Sequence, residues 1–392
     1  MRHLESRASP LRAPKRLESR WFGMFLAGAA WIGGAAIGCT PRPHPDAPLV
    51  ATGSQPSRDE RSCAWFGDVA GDTLYFGISA FWAAMGGAHG DPTADTRIPG
   101  PQWIGRFDLG RRELLAPLDV SEGSHPGGVW DVLALPSGQI LFSTYFDAAG
   151  LADPATGRAP RLASLGLGLN ELTLGPDGTL LATRYGFAGD GHGAVLVLDA
   201  EGGLLAEHRL REAPGTRVLA KSLAFDPARR EIWVNTDLIS TETRETAHDL
   251  RVLAWDGREL ARWSEPEVQF MVFAEDGSGI SVERKGRQLW LRRRSPGAAP
   301  GPEGGQRILL DESFPTGLDF AQDLRVEPDG TVVVTRWSGK IHLVFPDGGV
   351  RELSLPQRPG DLYYTATLRH GWVCATRCGE VQVVCEDLAT AR

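Results

Sequence analysis

From residue 63 onward the chain runs in short stretches of alternating apolar and polar residues, rich in β-branched and aromatic side chains. Gly, Pro and Asp break these stretches at intervals of about eight to twelve residues, and no long stretch spaces its apolar residues as a helix would. Period-two alternation with frequent turns predicts strands throughout.

The strands recur in a frame. "NELTLGPDGTLLATRYG" (170–186) and "QDLRVEPDGTVVVTRWSG" (322–339) share an alternating strand, Pro-Asp-Gly, and a second strand ending in Thr-Arg-aromatic. The same frame fits "WFGDVAGDTLYFG" (65–77), "WDVLALPSGQILFSTY" (130–145), "KSLAFDPARREIWVNTD" (221–237), "QFMVFAEDGSGISVER" (269–284) and "YTATLRHGWVCATRCG" (364–379). The hairpin anchors are Gly71, Gly138, Gly178, Arg230, Gly277, Gly330 and Gly371. Two further strands follow most copies, as in "AVLVLDAEG" and "LLAEHRL". Such a repeat predicts an all-β, seven-bladed β-propeller with four-stranded antiparallel blades, six or eight being the alternative counts. The last copy has three strands of its own. A stretch near Leu49 to Thr52, or the segment just before Cys63, would complete it.

In this architecture the first strand of each blade lines a central channel, and its leading end opens on one face with the loop between strands two and three. Registering the copies puts Trp65, Trp130, Asn170, Lys221, Gln269, Gln322 and Tyr364 at one lead position. Phe66, Asp131, Glu171, Ser222, Phe270, Asp323 and Thr365 come next. Polar groups that begin buried strands need partners: one another, water or a ligand. They therefore mark either a ligand funnel or a hydrogen-bonded collar that joins the blades. Arg184, Arg336 and Arg377 recur at the far end of the hairpin, where three guanidiniums would hold a carboxylate or phosphate, or else pair with neighbouring acids. His89, His125, His192 and His248 fall in loops of the same face without tight metal-ligand spacing. No G-x-S-x-G, phosphate-binding glycine loop or H-E-x-x-H motif occurs.

The first 39 residues differ. Six basic side chains against Glu5 and Glu18 precede an uncharged run, Trp21 to Gly38, that ends in Ala36, Ile37, Gly38 and Cys39. This reads as an export signal over 1–38. The Cys after small residues resembles a bacterial lipoprotein lipobox, which implies cleavage and lipidation of Cys39. An uncleaved membrane anchor and plain export are the alternatives, and all three place the remainder outside the cytoplasm. Residues 39–62 then form a Pro-rich tether and 63–392 the propeller. The expected site is the cell envelope, on its periplasmic or outer-membrane face, with the membrane reached through the lipid on Cys39.

The leader carries a net +4, so the chain's −8 leaves −12 on the mature part. That acidity argues against a general nucleic-acid binder, and a monomer is expected. Beyond Cys39 there are four cysteines, an even number suited to disulfides in an exported chain, although free buried thiols are the alternative. The topology favours Cys63 with Cys378, across the ring seam, and Cys374 with Cys385, on adjacent strands of the last blade.

The blade frame resembles the gluconolactonase/senescence-marker-protein family and, more loosely, other NHL-type propellers. The nearest local match is "NELTLGPDG", whose leading Asn in that family ligates a central divalent ion and falls on Asn170. The next positions expected to supply an Asn and an Asp hold Lys221 and Gln322. The resemblance implies a metal-dependent lactone or ester hydrolase, with Asn170, Glu171, Asp131 and Asp323 around calcium or zinc. The reading from the residues themselves is a non-catalytic envelope propeller that binds a small molecule, glycan or protein partner at its funnel face.

Overall fold

The computed structural model describes residues 63–79, 102–123, 128–144, 149–162, 165, 168–186, 192–274, 276–314, 319–357, 361–378 and 382–390. The leader, Cys39, the tether, His89 and His125 lie outside the described residues.

Seven inner hairpins, here called units one to seven, follow in chain order. They are Cys63–Ala70 with Thr73–Ser79, Asp131–Ala134 with Ile140–Ser143, Leu169–Leu174 with Leu180–Arg184, and Thr216–Asp226 with Glu231–Ser240. Glu267–Phe273 with Gly279–Lys285, Ala321–Val326 with Val332–Arg336, and Leu362–Arg369 with Trp372–Cys378 complete the series. The first strand of each touches the first strand of the next, and the seventh touches the first, so the inner strands close a ring.

Each turn between inner strands has a residue with positive φ at the anchor read from the sequence: Gly71, Gly138, Gly178, Arg230, Gly277, Gly330 and Gly371. Six are glycine, which enters this region without steric cost. Arg230 enters it at φ 56° with a side chain.

Five units grow into four-stranded antiparallel blades, so the expectation of seven such blades is corrected to five. Units one, three, four, five and six each add two outer strands; unit two adds only Ala149–Ala152, and unit seven only Val383–Asp387. In unit two the next segment makes a lone bridge, Gly150 opposite Arg161. Pro160 accepts the Leu151 N–H at 3.2 Å but has no N–H to return, which stops the ladder there. Unit seven instead meets unit one: Cys63 pairs with Cys378, and the two units share one sheet.

The alternation read from the sequence becomes the packing between blades. Val282, Leu289 and Leu291 of unit five lie against Leu324, Val332 and Val334 of unit six, all buried. Both cysteine pairs are disulfides, Cys63–Cys378 and Cys374–Cys385.

Candidate functional site

The lead positions share a backbone irregularity that the sequence did not announce. The register with the second strand slips at Trp65 and Phe66, at Asn170 and Glu171, at Lys221, at Gln269, at Gln322, and at Tyr364 and Thr365. In unit two the Trp130 N–H reaches Ser143 O at 2.8 Å while Asp131 also faces Ser143. A bulge bends the strand and re-aims its side chains. It also leaves backbone groups outside the ladder, and these must find partners.

The partners come from the neighbouring unit at every junction. Asp68 accepts the Ala134 N–H at 2.9 Å, and Asp131 accepts Leu172 N–H at 2.9 Å. The Asn170 amide donates to Lys221 O at 2.6 Å, and the Asn235 amide to Gln269 O at 2.8 Å. Gln269 accepts Ala321 N–H at 3.0 Å, Glu327 accepts Leu368 N–H at 2.9 Å, and Thr365 Oγ accepts Gly67 N–H at 3.1 Å. The polar collar thus joins the units around the ring. Gly77 keeps one junction tight: a Cβ there would sit 2.7 Å from Val129 O and 2.8 Å from Trp130 O.

The collar also carries charge. Asp68 and Asp323 both face Arg325, Asp68 in direct contact and Asp323 at 3.8 Å. Asp131 and Glu171 feel Asp323 electrostatically, and Asp131 also feels Asp68. Asp68, Asp131, Glu171 and Asp323 thus form one electrostatic cluster, and Arg325 feels Asp68, Asp323, Glu327 and Asp131. Burial raises the Asp131 and Glu171 carboxyls well above the usual range, and repulsion from the other acids adds to it. Burial lifts Asp323 to about 6 against the pull of Arg325.

Aromatic rings stand at the lead positions of the adjoining units. Trp65 lies 4.4 Å from Trp130 and 4.7 Å from Tyr364; Phe66 lies 5.5 Å from each of the latter two (ring centroids). Trp65 and Tyr364 are buried, while Trp130 and Phe66 are half-buried. Tyr185, Phe320 and Trp337 pack into the same cluster.

The other expected residues have their own places. Arg184 pairs with Glu207 at 2.7 Å, Arg336 with Asp311 at 2.6 Å and with Asp319, and Arg377 with Asp361 at 2.8 Å. The three guanidiniums are separate ion pairs, not a joint cradle. Lys221 Nζ lies 3.4 Å from Asp237, which also holds His248 Nδ1 at 2.6 Å. Lys221 and His248 together keep the Asp237 carboxyl below its usual range despite burial. Gln322 is half-buried. Among the described residues no group of three or more His, Cys, Asp or Glu is arranged to hold a metal ion. Asn170, expected as a metal ligand, spends its amide on the Lys221 carbonyl.

Sequence reasoning missed Asp68 and Arg325. Both sit two residues beyond the second collar position, on the same side of an alternating strand, and that period was the available signal.

No family model matches the chain, and no curated protein matches it in sequence. Solved structures share its fold. The extracellular domain of the hybrid two component system BT3049 from B. thetaiotaomicron aligns with 83% of this chain at TM-score 0.52 and 11% identity. This chain spans 39% of that one. The computationally designed Ika8 protein aligns with 83% of this chain and is covered over 96% of its own, at TM-score 0.52 and 12% identity. The WD40 β-propeller domain of Doa1 aligns over 73% of this chain and 86% of its own, at TM-score 0.51 and 11% identity. At such identities the likeness establishes a β-propeller and carries no activity with it.

Proposed function

We propose that this chain is an exported binding propeller, held at a membrane by lipid on Cys39, whose funnel takes a small organic cation. The observation that carries the ligand class is the pairing of this carboxyl cluster and Arg325 with a bank of aromatic rings at the mouth. A cation entering there offsets the burial, and the added mutual repulsion, that raise Asp131, Glu171 and Asp323, and ring faces attract it by their quadrupole, about 0.5–2 kcal/mol each. The apolar body of such a ligand suits Trp130 and Phe66, which keep part of their surface open. Export is supported by the two disulfides, which persist in oxidising compartments.

Residues 63–392 are titrated with tetramethylammonium, butylammonium and a neutral sugar while tryptophan fluorescence is followed. A saturable response to the ammonium salts but not to the sugar is expected, weakening as pH falls below about 6, where Asp323 protonates. No saturable response to either cation, or a response to the sugar alone, sinks the assignment. The lipid anchor has its own test: Cys39→Ala in the full chain releases the protein from membranes, and retention would refute it.

A further inference from the structure

The contact between units four and five carries a buried excess of positive charge. Ser281 and Glu283 on Gly279–Lys285 face unit four, as do Arg292 and Arg294 on the neighbouring strand Gln288–Arg294. Their apolar alternates, Ile280, Val282, Leu289 and Leu291, face unit six instead. Arg307, opposite Arg292 on the next strand, lies on the same side. Glu283 Oε1 accepts Arg292 Nε at 2.7 Å, Arg294 Nη2 at 3.0 Å and Ser281 Oγ at 2.9 Å. Its Oε2 meets Arg307 Nη2 at 3.5 Å. Arg292 Nη1 donates to Gly304 O at 2.6 Å, and Arg294 Nη1 to Ser281 Oγ at 2.8 Å. One carboxylate therefore serves three guanidiniums.

The remaining donors are unmet. Arg292 and Arg294 are 2% and 4% exposed, yet Arg292 Nη2 and Arg294 Nε have no hydrogen-bond partner among the described residues. The indole N–H of Trp233, 1% exposed on unit four, is in the same condition, and its ring lies 5.8 Å from the Arg294 guanidinium carbon. Burial and the two neighbouring arginines hold the Arg294 guanidinium below its usual range. A buried, unpaired N–H on a charged group is costly, and a neutral acceptor answers the hydrogen bond without answering the charge.

We propose that the interface of units four and five binds a small monovalent anion of the halide class, at Arg292 Nη2 and Arg294 Nε. The anion supplies the acceptor those donors lack and lowers the local charge. Arg307, whose side chain is 37% exposed, is the member of the cluster that reaches solvent.

Crystals of the full chain grown in sodium bromide test this on the unaltered protein. An anomalous bromide peak beside Arg292 and Arg294 is expected. Peaks confined to the outer surface, an adventitious ion only, would overturn it, as would water without anomalous signal at the site. In solution, the thermal midpoint rises saturably when chloride replaces gluconate at constant ionic strength. Glu283→Gln adds one net positive charge, so half-saturation falls about tenfold, equivalent to about 1.4 kcal/mol of added attraction. Equal midpoints in the two salts for the native protein refute the site, whether or not the variant folds.

Discussion

Asp68 and Arg325 form an ion pair between units one and six, with unit seven lying between them on the ring. Their side chains are 22% and 18% exposed, so the pair is partly withdrawn from water. Arg325→Met leaves the channel carboxyls without their cation. Urea unfolding should show a loss of about 1–3 kcal/mol at pH 7.5, between the values for an exposed and a fully buried pair. The loss should shrink at pH 5.5, where the raised carboxyls bind protons. Affinity for an ammonium ligand should rise in the same variant. Equal losses at both pH values would show that channel charge does not govern this part of the fold.

Asp323 sets one pH dependence and His342 its opposite. Asp323 titrates at about 6 when folded against an ordinary 3.8, so the folded state binds the extra proton between those values. Its contribution to stability therefore falls as pH rises from 3.8 to 6. Burial, then the charge of Arg336, lowers His342 from 6.5 to about 4, so here the unfolded state binds the extra proton. That contribution is present above 6.5 and is lost as pH falls toward 4. Asp323→Asn should make the protein more acid-sensitive over this window relative to pH 7.5, and His342→Gln less so. Matching stability–pH slopes for both variants and the parent would contradict the assignment.

The junction bonds are individually testable. Gln269 is 5% exposed, and its amide oxygen takes the Ala321 N–H at 3.0 Å. Gln269→Leu keeps the bulk and orphans that N–H, at a cost of about 1–3 kcal/mol in denaturant unfolding. Amide exchange should accelerate first at Ala321; unchanged protection there would mean the bond is not made in solution.

Cys63 and Cys378 are 315 residues apart in sequence. On the chain-entropy account a loop that long is worth roughly 5–6 kcal/mol when closed. Cys63→Ser with Cys378→Ser should lower the unfolding midpoint far more than Cys374→Ser with Cys385→Ser, which opens a loop of 11. Calorimetry on the two double variants decides it. A larger drop for the short loop would mean that local packing, not chain entropy, dominates.

Arg230 is the non-glycine among the hairpin anchors, and its ion pair with Asp177 is exposed. Arg230→Gly should stabilise by roughly 1 kcal/mol through relief of the left-handed backbone, because an exposed pair contributes little. A fall in the thermal midpoint would reverse that ranking.

What the sequence conveyed depended on period. Hairpin anchors such as Gly138 and Gly330 were legible because positive φ selects for glycine, and the disulfide partners followed from strand adjacency. The fourth strand of unit two was not, because one proline at position 160 outweighs the repeat. The polar collar was located at Asn170, Gln269 and Asp323, but its purpose was only half visible. A bulge leaves no mark in composition, so nothing indicated that Asn170 would turn to a backbone carbonyl. The three arginines were open to two readings, a joint anion cradle or pairs with neighbouring acids; the second is what forms, but Glu207, Asp311 and Asp361 each lie too far along the chain for spacing to name the partner.

The seam disulfide also governs how the domain responds to cutting. Because Cys63 and Cys378 are bonded, a single protease nick in any loop between them leaves one covalently continuous molecule. New ends appear at the nick, but no fragment between these cysteines can leave until a second cut or a reductant arrives. The domain behaves as a natural circular permutant of itself, cleaved wherever it is most accessible and still held as a hoop.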